Sequence, residues 1–125
     1  MEIEFVNHSS FIVKHKETSI LCDPWLEGRI FNNGWDLLSK TKFSYDDFKD
    51  IQYIWFSHEH PDHFYPPNLK KIPAEHKKNI TVLFQETIDG RVANYCRKNG
   101  FKDVIELKKN QWFELADDFS IICEY

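Results

Sequence analysis

Cysteine is scarce in this sequence and badly spaced for cross-linking. Cys22, Cys96 and Cys123 are odd in number, lie far apart and form no CxxC pair. That spacing argues against a disulfide framework and for reduced, buried thiols in a cytosolic protein. Long apolar runs are missing as well. No stretch approaches the roughly 18 residues of a membrane span, and Met1-Glu2-Ile3-Glu4 lacks the basic-then-apolar form of a signal peptide. There is no basic stripe either. Lys70-Lys71, Lys77-Lys78 and Lys108-Lys109 are isolated pairs in a chain with 16 basic and 20 acidic residues, so a nucleic-acid partner has no electrostatic footprint. Repeats and low-complexity segments are absent too. A soluble, cytoplasmic, globular protein is the expectation.

What is present is an aromatic-rich chain whose 125 residues suit a single domain, 1–125, with a sizeable core. Aromatics make 16% of it, including eleven Phe and four Trp, which favours a sheet. Residues 2–6 alternate polar and apolar, and 11–15 with 19–22 read as a hairpin. The stretch 23–42 is long and irregular, yet Trp25, Leu26, Ile30, Phe31 and Trp35 make it too apolar for disorder. Such a loop is expected to be ordered and close to a site. Ser44 and Asp47 suggest a capped helical turn over 45–49. Residues 51–56 are nearly all apolar, as in a strand covered on both faces.

Pro66-Pro67 can open a helix through Ile72, and 80–84 is another short apolar strand. Thr87 or Asp89 can cap a helix that reaches Asn99 and stops at Gly100. Residues 104–107, 112–115 and 119–124 are the last strand candidates. Strands first, then strand–helix alternation, predict an α/β fold with a mixed sheet. The final strand pattern runs to Tyr125 without cap or turn. A domain cut from a longer one is the expectation, with a terminal edge strand as the alternative.

The chemistry concentrates in His58-Glu59-His60-Pro61-Asp62-His63, directly behind the apolar strand. Imidazole nitrogens and a carboxylate are the ligand set for Zn²⁺, and Mn or Fe accept them too. If His58 and His60 continue the strand's alternation, they project to one side and can share an ion. Asp62 and His63 are adjacent and diverge, which suits a second ion. The loop sits at the carboxyl end of a strand, where α/β sheets place their sites. A polar surface loop with a chance His cluster is the bland reading. His15 and His76, in polar company, are expected at the surface.

His-Glu-His-Pro-Asp-His at 58–63 resembles the HxHxDH signature of the metallo-β-lactamase superfamily. The resemblance extends upstream through Asn7-His8-Ser9-Ser10-Phe11 and Cys22-Asp23-Pro24-Trp25-Leu26-Glu27-Gly28, continues through Phe31-Asn32-Asn33-Gly34-Trp35 to Ser57, and runs downstream through Phe64-Tyr65-Pro66-Pro67. It looks like the branch of lactonase-like and phospholipase-D-like metallohydrolases. The Asp-Pro-Trp and Asn-Asn-Gly-Trp segments look like the hydrolase-like part of Rieske-type sugar-nucleotide hydroxylases, although no Rieske Cys/His pattern occurs here.

That resemblance implies the N-terminal half of an αββα sandwich, its helices on one face of the sheet. It implies two divalent metal ions, His58 and His60 on the first, Asp62 and His63 on the second. A hydroxide bridging them would attack an ester, lactone, amide or phosphodiester of a small-molecule substrate, with Asp62 as the catalytic carboxylate that orients it. Asp23 matches an aspartate that supports a ligand histidine from behind, and a turn residue before Pro24 is the alternative. His8 would face the site from a neighbouring loop, or else be a hydrogen-bonded turn histidine.

The superfamily pattern continues with a third histidine, a bridging aspartate and a last histidine. After His63 only His76 remains here, leaving two ligands per ion where catalytic zinc usually has three. The expectation is a metal-dependent hydrolase, incomplete in this chain. The alternative is a non-catalytic half-domain that binds metal weakly and self-associates. In either case a bare second sheet face carrying Phe11, Ile20, Ile54, Phe56 and Leu83 is expected to drive homo-oligomer formation.

Overall fold

The first three strands form an antiparallel meander: β1 (Glu2–Asn7), β2 (Ser10–His15) and β3 (Thr18–Cys22). Its two tight turns place His8 and Lys16 at positive φ, 45° and 53°. The structure is a computed structural model that describes residues 1–124. Beyond β3 the pairing turns parallel through β4 (Tyr53–Phe56), β5 (Thr81–Gln85) and β6 (Asp103–Leu107). The strand order is β1-β2-β3-β4-β5-β6. Because β3, β4 and β5 run the same way, the segments that follow them leave from one edge of the sheet. Asp23, the loop 57–63 and the loop 86–90 all meet there.

Period-two alternation assigns the two faces. Ile12, Leu21, Ile54, Val82 and Val104 point to one side and pack with Phe48, Leu69, Val92 and Cys96. Helices α1 (Pro66–Leu69), α2 (Ala74–Lys77) and α3 (Arg91–Arg97) cover that side. Ile20, Cys22, Leu83 and Leu107 point to the other, against Leu115 and Phe119 of a separate hairpin, β7 (Trp112–Ala116) and β8 (Phe119–Ile122). The Tyr53 hydroxyl donates to the Leu115 carbonyl at 3.0 Å and ties hairpin to sheet.

The chain's own hairpin therefore corrects the expectation of a bare second face. Ile54 and Phe56 lie on the helix side, both fully buried, and Ile20 and Leu83 are covered by β7 and β8. Among the described residues Ile3, Phe5 and Phe11, in register with Val13, Ile20 and Cys22 at the β1–β2 edge, remain exposed there.

Element ends shift for local reasons. The Ser44 N–H and hydroxyl both donate to the Asp47 carboxylate, at 2.7 and 3.0 Å, opening a 3₁₀ segment over Tyr45–Asp50. Ile51 closes that segment through Phe48, so β4 starts at Tyr53 rather than at 51. The helix expected from 66 to 72 ends early, at Leu69 with Lys70 as its C-cap, and a second short helix, α2, starts after Pro73. The helix expected from Ile88 begins at Arg91. Gly90 takes φ +60, the Asp89 carboxylate caps the Arg91 N–H at 3.2 Å, and residues 86–90 are left as a loop. Gly100, at φ +85, follows its end. The last strand stops at Ile122, Cys123 bridges to Lys109, and Tyr125 lies outside the described residues.

Candidate metal centre

Phe56 is the last residue of β4, and Ser57 starts the loop that carries the candidate ligands. The loop closes on itself: the His63 and Phe64 amides donate to the His60 carbonyl at 2.9 and 2.8 Å. Phe64 then packs edge-on against Phe56, ring centroids 5.0 Å apart, and anchors the loop in the helix-side core. One donor atom each from His58, Asp62 and His63 lies within 4.8 Å of the others. The His60 ring is 4.6 Å from that of His58, further out and exposed. The four sequence candidates are thus gathered in one place, three of them tightly.

Behind the loop sits the buried Asp23 carboxylate. It accepts from the Ser57 N–H at 2.7 Å, the Ser57 hydroxyl at 2.8 Å and His63 Nδ1 at 2.9 Å. Ser57 Oγ is also 2.9 Å from His58 Nδ1. With its own proton given to Asp23, that oxygen accepts from His58. Both imidazoles are then protonated at Nδ1 and offer Nε2 to an ion, the arrangement a buried carboxylate imposes on ligand histidines. Asp23 holds its position at φ +47, with its N–H on the Trp55 carbonyl at 2.9 Å. Asp23 and Ser57 together orient the two imidazoles. The sequence offered a role for Asp23 but only placed Ser57 in the stretch of resemblance, with no role, because its side chain acts through its neighbours.

His8 Nε2 is 3.2 Å from Asp62 Oδ2. Burial works to raise the Asp62 carboxyl, but the hydrogen bond from His8 and the charge of His63 outweigh it, so it stays below the usual carboxylate range. Burial and the neighbouring His63 and His60 lower His58, which favours the neutral ring that a metal needs. Two expected surface histidines prove otherwise. His15 packs on Phe119 at 5.7 Å with its Nε2 buried, and His76 is bonded to Asp46 at 2.9 Å.

The long loop 23–42 is pinned by a residue that the sequence did not flag. Asn68, buried in α1, accepts from the Leu26 and Glu27 amides at 2.7 and 3.2 Å and donates to the Glu27 carbonyl at 3.1 Å. Trp25, Leu26 and Ile30 are buried, and Gly28 passes so close to Tyr65 that a Cβ would lie 3.1 Å from its hydroxyl. Beside His58 and His60 a cavity of about 780 Å³ opens, lined also by Phe84, Gln85, Glu86 and Asp89 among others. That size suits a small molecule. The donors are nitrogen and oxygen, the set that divalent transition ions take, and they fit an ion. The cysteines do not join them: burial pushes Cys22 and Cys96 up to about 12.

A mixed sheet with helices on one face and a His/Asp cluster at its carboxyl edge is the half-domain of a metallo-β-lactamase fold. Residues 2–115 match the beta-lactamase superfamily domain, and the chain belongs to that superfamily. It is 32% identical over 106 residues to a Mycolicibacterium smegmatis protein named as a Rieske 2Fe-2S iron-sulfur protein, a match over 85% of this chain and 20% of that one. It is 31% identical over 99 residues to the cytidine monophosphate-N-acetylneuraminic acid hydroxylase of Danio rerio, 78% of this chain and 16% of that one. Among solved structures, the isothiocyanate hydrolase from Delia radicum gut bacteria superposes with a TM-score of 0.68 at 17% identity, covering 96% of this chain and 46% of that one. The chain thus spans about a fifth of the length of the curated relatives it matches. No helix among the described residues is long and apolar enough to cross a membrane.

Proposed function

We propose that this domain is the ion-holding half of a metal-dependent hydrolase acting on an ester, lactone or phosphodiester. The observation that carries the reading is the convergence of His58, Asp62 and His63 donors within 4.8 Å, with His63 Nδ1 held by Asp23 and His58 Nδ1 by Ser57. His58 and His60 would hold one ion and Asp62 with His63 a second, zinc first and manganese or iron as alternatives. A bound ion supplies water of lowered pKa and offsets the charge that builds on the substrate oxygen. Asp62, whose carboxylate lies beside His63 Nε2 at 3.2 Å, would orient the attacking water. The adjoining cavity admits a small-molecule substrate beside His58 and His60. A cytoplasmic location belongs to the same reading, because three free, buried cysteines suit a reducing compartment.

The test is chelation and reconstitution, with nitrophenyl esters, lactones and bis-nitrophenyl phosphate as probes. The 125-residue chain, with two ligands per ion, is expected to turn over near background. A longer protein supplying the further His, Asp and His is expected to be active, silenced by chelator and restored by Zn²⁺. Equal rates for the ion-free and reconstituted longer protein would remove the reading. A second reading, a non-catalytic half-domain that binds metal weakly and pairs with a copy of itself, has one observation in its favour. Ile3, Phe5 and Phe11 stand exposed together at the β1–β2 edge. Sedimentation at micromolar concentration separates the two: dimers that Phe5→Ser dissolves favour the second, monomers the first.

A further inference from the structure

The β1–β2 turn touches the ligand loop at two atoms of one residue. The Ser9 hydroxyl donates to the Asp62 carbonyl at 3.1 Å, and His8 Nε2 meets the Asp62 carboxylate at 3.2 Å. The turn is itself braced. Buried Asn7 donates to the Ser39 carbonyl at 3.3 Å, Ser10 donates to the Asp23 carbonyl, and Ser10 Oγ accepts from the Trp25 N–H at 3.2 Å. The His8 ring stands edge-on to buried Trp25 at 5.2 Å. His8 also sits at φ +45, which few non-glycine residues adopt, and such backbone persists only when its surroundings over-determine it. Asp62 lies 54 residues away in sequence, so the contact is a product of the fold and not of the loop's own turn. His8 stands outside the tight donor set of His58, Asp62 and His63. It therefore acts on Asp62 rather than as a fourth member.

We propose that His8 and Ser9 are positioning residues that clamp Asp62 at its carboxylate and at its backbone, and so set the ion site formed by Asp62 and His63. Asp62 is then fixed by the N-terminal meander, while His63 is held from behind by Asp23 and His58 by Ser57. The inference rests on the reading that Asp62 and His63 hold an ion, and its test separates the two. His8→Asn tolerates the left-handed backbone but is too short to reach Asp62, His8→Gln keeps an N–H donor on a longer arm, and Ser9→Ala removes the other contact.

In ion-free protein, NMR amide exchange at His63 and Phe64 should accelerate several-fold in His8→Asn and Ser9→Ala and recover in His8→Gln. Zn²⁺ and Co²⁺ titrations of the same proteins should show affinity falling about 10-fold or more at one ion only. The surviving ion should be the one that His60→Ala removes. Unchanged exchange, or equal weakening of both ions, overturns the clamp. If exchange responds as stated but even the wild type takes up no ion, the clamp stands and the metal reading falls.

Discussion

Exchanging Asp23 for asparagine keeps the shape and the left-handed backbone of residue 23 but leaves one acceptor oxygen where three donors converge. Those donors are the Ser57 N–H, the Ser57 hydroxyl and His63 Nδ1. The short backbone contact at 2.7 Å keeps the oxygen, so the amide NH₂ must face Ser57 Oγ and His63. His63 then has to present an unprotonated Nδ1, which moves its proton to Nε2, the atom an ion needs. Losing a hydrogen bond to a buried charged acceptor costs about 1.5–3 kcal/mol, and the tautomer switch relieves part of that. We therefore expect a stability loss of about 1–3 kcal/mol in urea and a fall of about 10- to 100-fold in Zn²⁺ affinity. Long-range ¹H–¹⁵N spectra of the histidine rings report the tautomer directly. Asp23→Ala should cost more, because three donors lose their partner and alanine at φ +47 adds about 1–2 kcal/mol. An asparagine variant whose His63 stays protonated at Nδ1, with ion affinity unchanged, would refute the reasoning.

Other perturbations follow the same logic. His60→Ala, at an exposed position, should change stability by no more than about 0.5 kcal/mol while abolishing the ion at His58; unfolding of the variant on a thermal scan would contradict this. Phe56→Ala empties a fully buried site between sheet and helices and should cost about 3–5 kcal/mol by urea titration, with loss of the loop's seat on Phe64. Cys22 and Cys96, held as neutral thiols by pKa values near 12, should resist a disulfide reagent at mildly alkaline pH and react only once the protein is unfolded. Rapid labelling of the native protein would show that their burial is overstated.

The strands were legible because their signal is local. Alternation over 2–6 and the apolar runs at 51–56 and 80–84 each name a strand within a residue or two of β1, β4 and β5. The cluster of His58, His60, Asp62 and His63 was legible as a cluster for the same reason, because its members lie inside six residues. What escaped depends on partners distant in sequence. Ser57 reads as filler until Asp23 is folded behind it, 34 residues away, and Asn68 looks like any surface amide until the loop at Leu26 lands on it. The misplaced sheet face has a parity cause. In a strand buried on both sides every residue is apolar, so Ile54 and Phe56 cannot be assigned a side from the sequence, and the hairpin that covers Leu83 pairs with itself rather than with the sheet. Of the two cap candidates, Asp89 meets the helix start at Arg91 and Thr87 does not, while the helix opened by Pro66-Pro67 stops at Leu69, three residues short of Ile72.

The supports of the ligand loop share a property of chain order. The turn at residues 7–10 and the carboxylate of Asp23 are all made before His58. On a ribosome, where the N-terminal part of a chain emerges first, the meander β1–β3 can pair locally before any ligand exists. The histidines of residues 58–63 therefore follow, in chain order, the turn and the carboxylate that hold their loop, so the supports can be synthesised before the cluster they support.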